Sequence, residues 1–170
     1  MKRVLAAALL LMLLFAACAE ESKQAFTFRN GVHWGMSHEE VIAAEGNPKC
    51  EIDEDEDALT VGIEDVEYGE QKCRLEYDFL NDELFMISVE FNTEDGDVSF
   101  DSLKRKLTSL YGEPGDFSDD VKSELSDEEI EELDGIASWT LADATEVWLM
   151  DDSEEHAIEI MFVDLDNEEV

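Results

Sequence analysis

Positive charge is scarce in this chain. Of 170 residues only 11 are Lys or Arg, against 46 Asp or Glu. Lys2 and Arg3 lie at the extreme N-terminus, so nine basic residues remain beyond a leader, and the formal charge there is −37. Such a chain repels phosphate backbones and anionic headgroups, which excludes nucleic acid as a partner and leaves basic proteins, divalent cations or neutral ligands. The same charge also fits a simpler reading, that it keeps an exported protein soluble. Histidine is equally rare: His33, His38 and His156 are the three. "HEEVI" at 38–42 lacks the second His at i+4 that a zinc protease helix needs, so His38 reads as an exposed residue at a helix start. There is no Gly-x-Ser-x-Gly, no phosphate-cradling Gly loop and no four-ligand Cys/His set. No catalytic residue, cofactor or metal is therefore expected, and the chain reads as non-enzymatic.

Cysteine is limited to Cys18, Cys50 and Cys73. Cys18 follows a basic start (Lys2, Arg3) and twelve apolar residues, Val4 to Phe15, then Ala16-Ala17. The run is short of the ~20 residues that span a bilayer, and it has the form of an export signal over 1–17. "FAAC" resembles the bacterial lipobox, in which the Cys is diacylated and anchors the protein to the exported side of the envelope membrane. Phe15 departs from that pattern, and cleavage after Ala19 is the other reading. Residues 18–25 then form a polar tether, and 26–170 a single domain. Cys50 and Cys73, a pair in an exported chain, favour a disulfide worth ~3 kcal/mol in the chain-entropy picture; two reduced thiols are the alternative.

What is present is regular. In "MSHEEVIAAEGNP" Ser37 and Glu40 have capping-box spacing, Met36 and Val41 staple spacing, and Gly46 with Pro48 stops the helix. "SFDSLKRKLTSLYGEP" repeats the plan: Ser99 as N-cap, an apolar stripe of Phe100, Leu103, Leu107 and Leu110, then Gly112 and Pro114. Beyond each helix the apolar period drops to two. Leu59, Val61 and Ile63 are in phase, as are Leu75, Tyr77 and Phe79, and Phe85, Ile87, Val89 and Phe91, with a turn at Asn81-Asp82-Glu83. The second half offers Trp139 with Leu141, "TEVWLM" at 145–150, and Ile158, Ile160 and Phe162. These patterns predict an α+β fold. Two tandem helix-plus-three-strand units, about 34–91 and 98–165, share one antiparallel sheet with the helices on one face.

"GMSHEEVIAAEGNP" is similar to the Gly-Met-Ser/Thr-x-x-x-Val and Gly-x-Pro segment of small bacterial envelope lipoproteins of the SmpA/OmlA outer-membrane assembly type, and of the β-lactamase inhibitor protein, which duplicates a helix-plus-sheet unit. The likeness spans most of 34–165. It implies a non-catalytic, protein-binding or inhibitory role. The assembly lipoproteins have one unit, this chain inserts acidic segments at 51–57 and about 116–136, and no partner-gripping residue carries over.

With Ile87 and Ile160 buried, alternation sends Met86, Ser88, Glu159, Met161 and Val163 to the opposite face. If Val147 and Leu149 are core, Trp148 and Met150 join them. Met86, Trp148, Met150 and Met161, with Asn81 and Asp82 at the turn, are thus the expected partner-binding residues. A reversed strand phase, or cover by the second insertion, is the competing reading. "EIDEDED", "NTEDGD" and "DDSEEH" miss calcium-loop spacing and read as solvated loops with at most weak cation binding. Ser126 with Glu129 predicts a short exposed helix.

Overall fold

The two helices start and stop as their local chemistry dictates. In a computed structural model, which describes residues 26–55, 58–69, 71–93, 98–115, 135–152 and 156–167, the first helix, α1, spans His38–Ala44. Its capping box is closed in both directions: the Glu40 N–H reaches Ser37 Oγ at 3.4 Å, and the Ser37 N–H donates to Glu40 Oε2 at 3.0 Å. The hydrogen bond from the Ser37 N–H holds the Glu40 carboxyl below its ordinary pKa. At the other end Gly46 (φ 85°) donates to Ala43 O and Asn47 (φ 57°) to Ile42 O, at 3.1 and 2.9 Å. This is the paired 5→2 and 6→1 closure of a Schellman motif, which needs the left-handed residue that glycine supplies.

The second helix, α2, spans Phe100–Tyr111 and ends at Gly112 (φ 92°). Ser99 holds the N-cap position without a side-chain cap bond; its carbonyl instead accepts from Ser102 Oγ at 2.8 Å. Leu103 and Leu107 are buried, but Leu110 is 65% exposed. Tyr111, four residues after Leu107, packs on the core in its place. The period of 3.6 brings i+4 closer to the stripe's centre than i+3 does here.

Seven strands form one antiparallel sheet: β1 Glu51–Asp55, β2 Ala58–Tyr68, β3 Gln71–Leu80, β4 Glu83–Asn92, β5 Gly135–Thr140, β6 Thr145–Asp152 and β7 Ala157–Asp164, in spatial order β1-β2-β3-β4-β7-β6-β5. The fold is α+β, as expected. Two details depart from the reading of the sequence. The acidic stretch expected as a loop supplies β1, an edge strand paired to β2 from Glu51↔Gly62 to Asp55↔Ala58. In β4, a register shift beside Asp78 sets Phe79 opposite Leu84, so Leu84 is fully buried and Phe85 leaves the core phase. One extra residue in a bulge reverses the alternation beyond it.

The β3–β4 turn is a two-residue link, Asn81 (φ 52°) and Asp82 (φ 64°). Two positive φ values are what a type I′ turn requires, and Asn-Asp accept them more readily than branched residues. One cluster of buried side chains joins both helices to the sheet: Val41 from α1, Leu103 and Leu107 from α2, and Tyr77, Ile87, Leu149 and Phe162 from the strands. Phe26 stacks on Trp34 at 4.8 Å between ring centroids and meets Phe162 at 5.3 Å, so the first described residues are part of that core.

Candidate binding face

The side of the sheet away from that cluster carries the other half of every alternating strand. Along one register row lie Glu51, Gly62, Glu76, Ser88, Met161, Trp148 and Ser138; along the next, Asp53, Thr60, Asp78, Met86 and Val163. Between β1 and β7 this face forms a shallow groove of about 630 Å³, with Met86 and Met161 on one side and Glu51, Asp53, Glu76, Asp78 and Glu159 around the rest.

Arg74 is the cation of this groove. Its Nη2 meets Glu76 Oε1 at 2.7 Å and its Nε meets Glu64 Oε1 at 3.1 Å. The guanidinium lies beside Gly62 of β2, where a Cβ would stand 3.4 Å from Nη2, in van der Waals contact.

One arginine does not neutralise the carboxylates around it. Burial raises the pKa of Glu76, opposed by Arg74. Burial likewise raises Asp78, opposed by the Thr60 hydroxyl, which donates to Asp78 Oδ1 at 2.6 Å. Glu159 is raised by burial, with Glu90, Glu76 and Asp78 adding to the effect and a hydrogen bond with Ser88 offsetting part of it. Glu90 and Glu159 are direct cross-strand partners, and like charges in that relation destabilise a sheet. The groove is thus a partly dehydrated anionic surface with two flexible thioether side chains at its side.

The expected site residues are distributed as follows. Met86 and Met161 line the groove, both half-buried. Met150 is half-buried on β6, opposite Glu159. Trp148 lies on the predicted face, since Val147 and Leu149 are fully buried in the core, but it is only 5% exposed and is not a surface residue. Its strand is interior, with Ser138 and Met161 opposite it on either side. Asn81 and Asp82 are exposed at the turn, yet Asp82 is engaged: Oδ1 accepts from the His38 N–H at 3.1 Å and lies 2.6 Å from His38 Nδ1. The contact with the His38 ring is the main reason the Asp82 carboxyl sits below its ordinary pKa. The hairpin tip therefore caps the start of α1. Ser37 Oγ beside this pair donates to Glu40 Oε2 at 3.1 Å, so the hydroxyl belongs to the capping box.

The expected Cys50–Cys73 disulfide is not formed; both are free cysteines. Cys50 precedes β1 and Cys73 lies on β3, so β2 runs between them. Two strand spacings of ~4.8 Å put their backbones beyond the ~7 Å that a disulfide bridges. Cys18, the signal over 1–17, the tether and the Ser126–Glu129 helix lie outside the described residues. Among the described residues no helix is long and apolar enough to cross a membrane, and no group of three or more His, Cys, Asp or Glu is arranged to hold a metal ion.

Sequence reasoning passed over Arg74, Glu76 and Asp78 as groove residues. Their signal was available, because they are the polar half of "CRLEYDFL", but alternation alone does not tell a solvated face from a concave one. No known family matches this chain, and neither a curated protein nor a solved structure matches it.

Proposed function

We propose that this is an exported, lipid-anchored protein of the bacterial cell envelope that binds a protein partner non-covalently and catalyses nothing, its partner seated on the groove face of the sheet. The observation that carries the reading is the groove between β1 and β7, where Met86 and Met161 adjoin Glu76, Asp78 and Glu159. Half-buried thioethers beside under-neutralised carboxylates suit a partner that brings both apolar and basic side chains. Export and anchoring rest on the leader and Cys18.

The tandem architecture belongs to the same proposal. One helix is followed by β2-β3-β4 and the other by β5-β6-β7, and the order β2-β3-β4-β7-β6-β5 sets the two triplets about a β4–β7 seam. In this reading β1 is an addition to the first unit. The resemblance to envelope assembly lipoproteins and the β-lactamase inhibitor protein supports a binding role for such a unit.

The test is capture of envelope and secreted proteins on the immobilised protein and on Met86→Ala/Met161→Ala, by quantitative mass spectrometry. A partner retained by the wild type and lost by the variant is the expected result; equal enrichment removes the groove from the account. The second reading, an acidic cation-binding or structural envelope protein, draws on the raised carboxyls of Glu76, Asp78 and Glu159, which a cation would relieve. Calcium titration separates the two, since a site of useful affinity raises the melting temperature with ligand concentration.

A further inference from the structure

The sheet has two edges, and they are not equivalent. At the β5 edge Gly115 forms an antiparallel bridge with Ser138, its N–H donating to Ser138 O at 2.9 Å. At the β1 edge no described residue pairs with the outer side of the strand, and all five residues, Glu51–Asp55, are exposed. Ile52 is 52% exposed, one of two large apolar side chains so exposed among the described residues. An open edge presents unpaired backbone donors and acceptors and invites another strand.

The side chains of β1 restrict which strand can accept the invitation. Four of its five residues are carboxylates, Glu51, Asp53, Glu54 and Asp55. A second copy of this chain would set the same four against them, and like charges facing across a strand pair oppose pairing. Alternation places Glu51, Asp53 and Asp55 on the groove side, in register with Gly62, Thr60 and Ala58, and Ile52 with Glu54 on the other side, in register with Val61 and Leu59. The complement is an extended segment whose basic residues recur at every second position to face Glu51, Asp53 and Asp55, with an apolar residue between them to cover Ile52.

We propose that the outer edge of β1 is a docking strand for such a segment of another protein, which extends the sheet by main-chain pairing and is selected by charge alternation. This goes beyond the groove reading, because it rests on backbone at the edge of the sheet and not on side chains of its face. Recognition by strand addition draws affinity from main-chain hydrogen bonds and specificity from alternate side chains.

The experiment uses the full chain and a labelled peptide of alternating lysine and valine at physiological ionic strength. Comparators are a peptide of the same composition with its lysines grouped, an alternating glutamate–valine peptide, and the alternating lysine peptide N-methylated at every second amide. Anisotropy should show the alternating lysine peptide binding at least about tenfold tighter than each comparator. Hydrogen exchange should slow at the amides of 51–55. Glu51→Lys/Asp53→Lys should transfer the preference to the glutamate peptide; both residues are exposed, and the N-methyl comparison needs no variant. Equal binding of the grouped or N-methylated peptide means diffuse charge attraction and overturns the proposal, as does absence of binding. Protection confined to β4 and β7 also overturns it while leaving the groove reading intact. Self-association abolished by Ile52→Lys would make a second copy the occupant, and likewise end it.

Discussion

The phenol of Tyr77, in the centre of the sheet, donates to Glu45 Oε1 at 2.8 Å and so ties β3 to the C-cap of α1. The Glu45 side chain is only 4% exposed, and its other oxygen meets Asn30 Nδ2 at 3.0 Å and Arg29 Nε at 3.4 Å. Tyr77→Phe removes one donor from a buried carboxylate, which is expected to cost ~1 to 3 kcal/mol in urea unfolding. An unchanged midpoint would mean that Arg29 and Asn30 satisfy Glu45 by themselves.

The two leucines of α2 that share its apolar stripe on paper differ in the fold. Leu107 is 3% exposed and Leu110 65%. Leu107→Ala should cost ~2 to 5 kcal/mol, as buried leucines do. Leu110→Ala should change stability by ~0.5 kcal/mol or less. Similar losses at both positions would show that α2 buries a different face.

Both thiols should be free in protein purified without reductant. Alkylation under denaturing conditions should add a label at each of Cys50 and Cys73, whereas failure to label either would restore the bridge. In the native protein Cys73 should react far more slowly, because it is 6% exposed and burial pushes its thiol up to about 11. Thiolate is the reactive form.

The groove carboxyls set a pH dependence of unusual sign. Glu76, Asp78 and Glu159 are raised by burial, so between the ordinary carboxylate value of ~4 and their raised values the folded state binds more protons than the unfolded one. Their combined effect makes stability rise as pH falls from neutral through that window. Asp82 acts oppositely: its lowered pKa contributes stability above the ordinary value and loses it as pH falls through the folded value. Melting temperature followed against pH should therefore climb on mild acidification and fall only at lower pH. Glu159→Gln should raise the melting temperature at neutral pH and flatten the climb. A variant that melts lower at neutral pH and keeps the wild-type slope would refute this account of Glu159.

The limits of the helices, the strand phases and the α+β class were legible in the sequence, because each depends on neighbours within a few positions. Ser37 meets Glu40, Gly46 closes onto Ala43, and Tyr77 alternates with Glu76 and Asp78 wherever the strand is placed. Phe85 and Leu110 were misread for the same reason: a bulge depends on the partner strand, and the buried face of a helix depends on what it packs against.

Tertiary structure alone decided the pairings. That Cys50 and Cys73 stand on either side of β2, that Asp82 caps α1 from 44 residues away, and that Arg74 rests over Gly62 among carboxylates all follow from strand order. The acidic run at 51–55 looks like loop by composition. It is a strand because the backbone of β2 offers it hydrogen bonds, which do not depend on side-chain polarity.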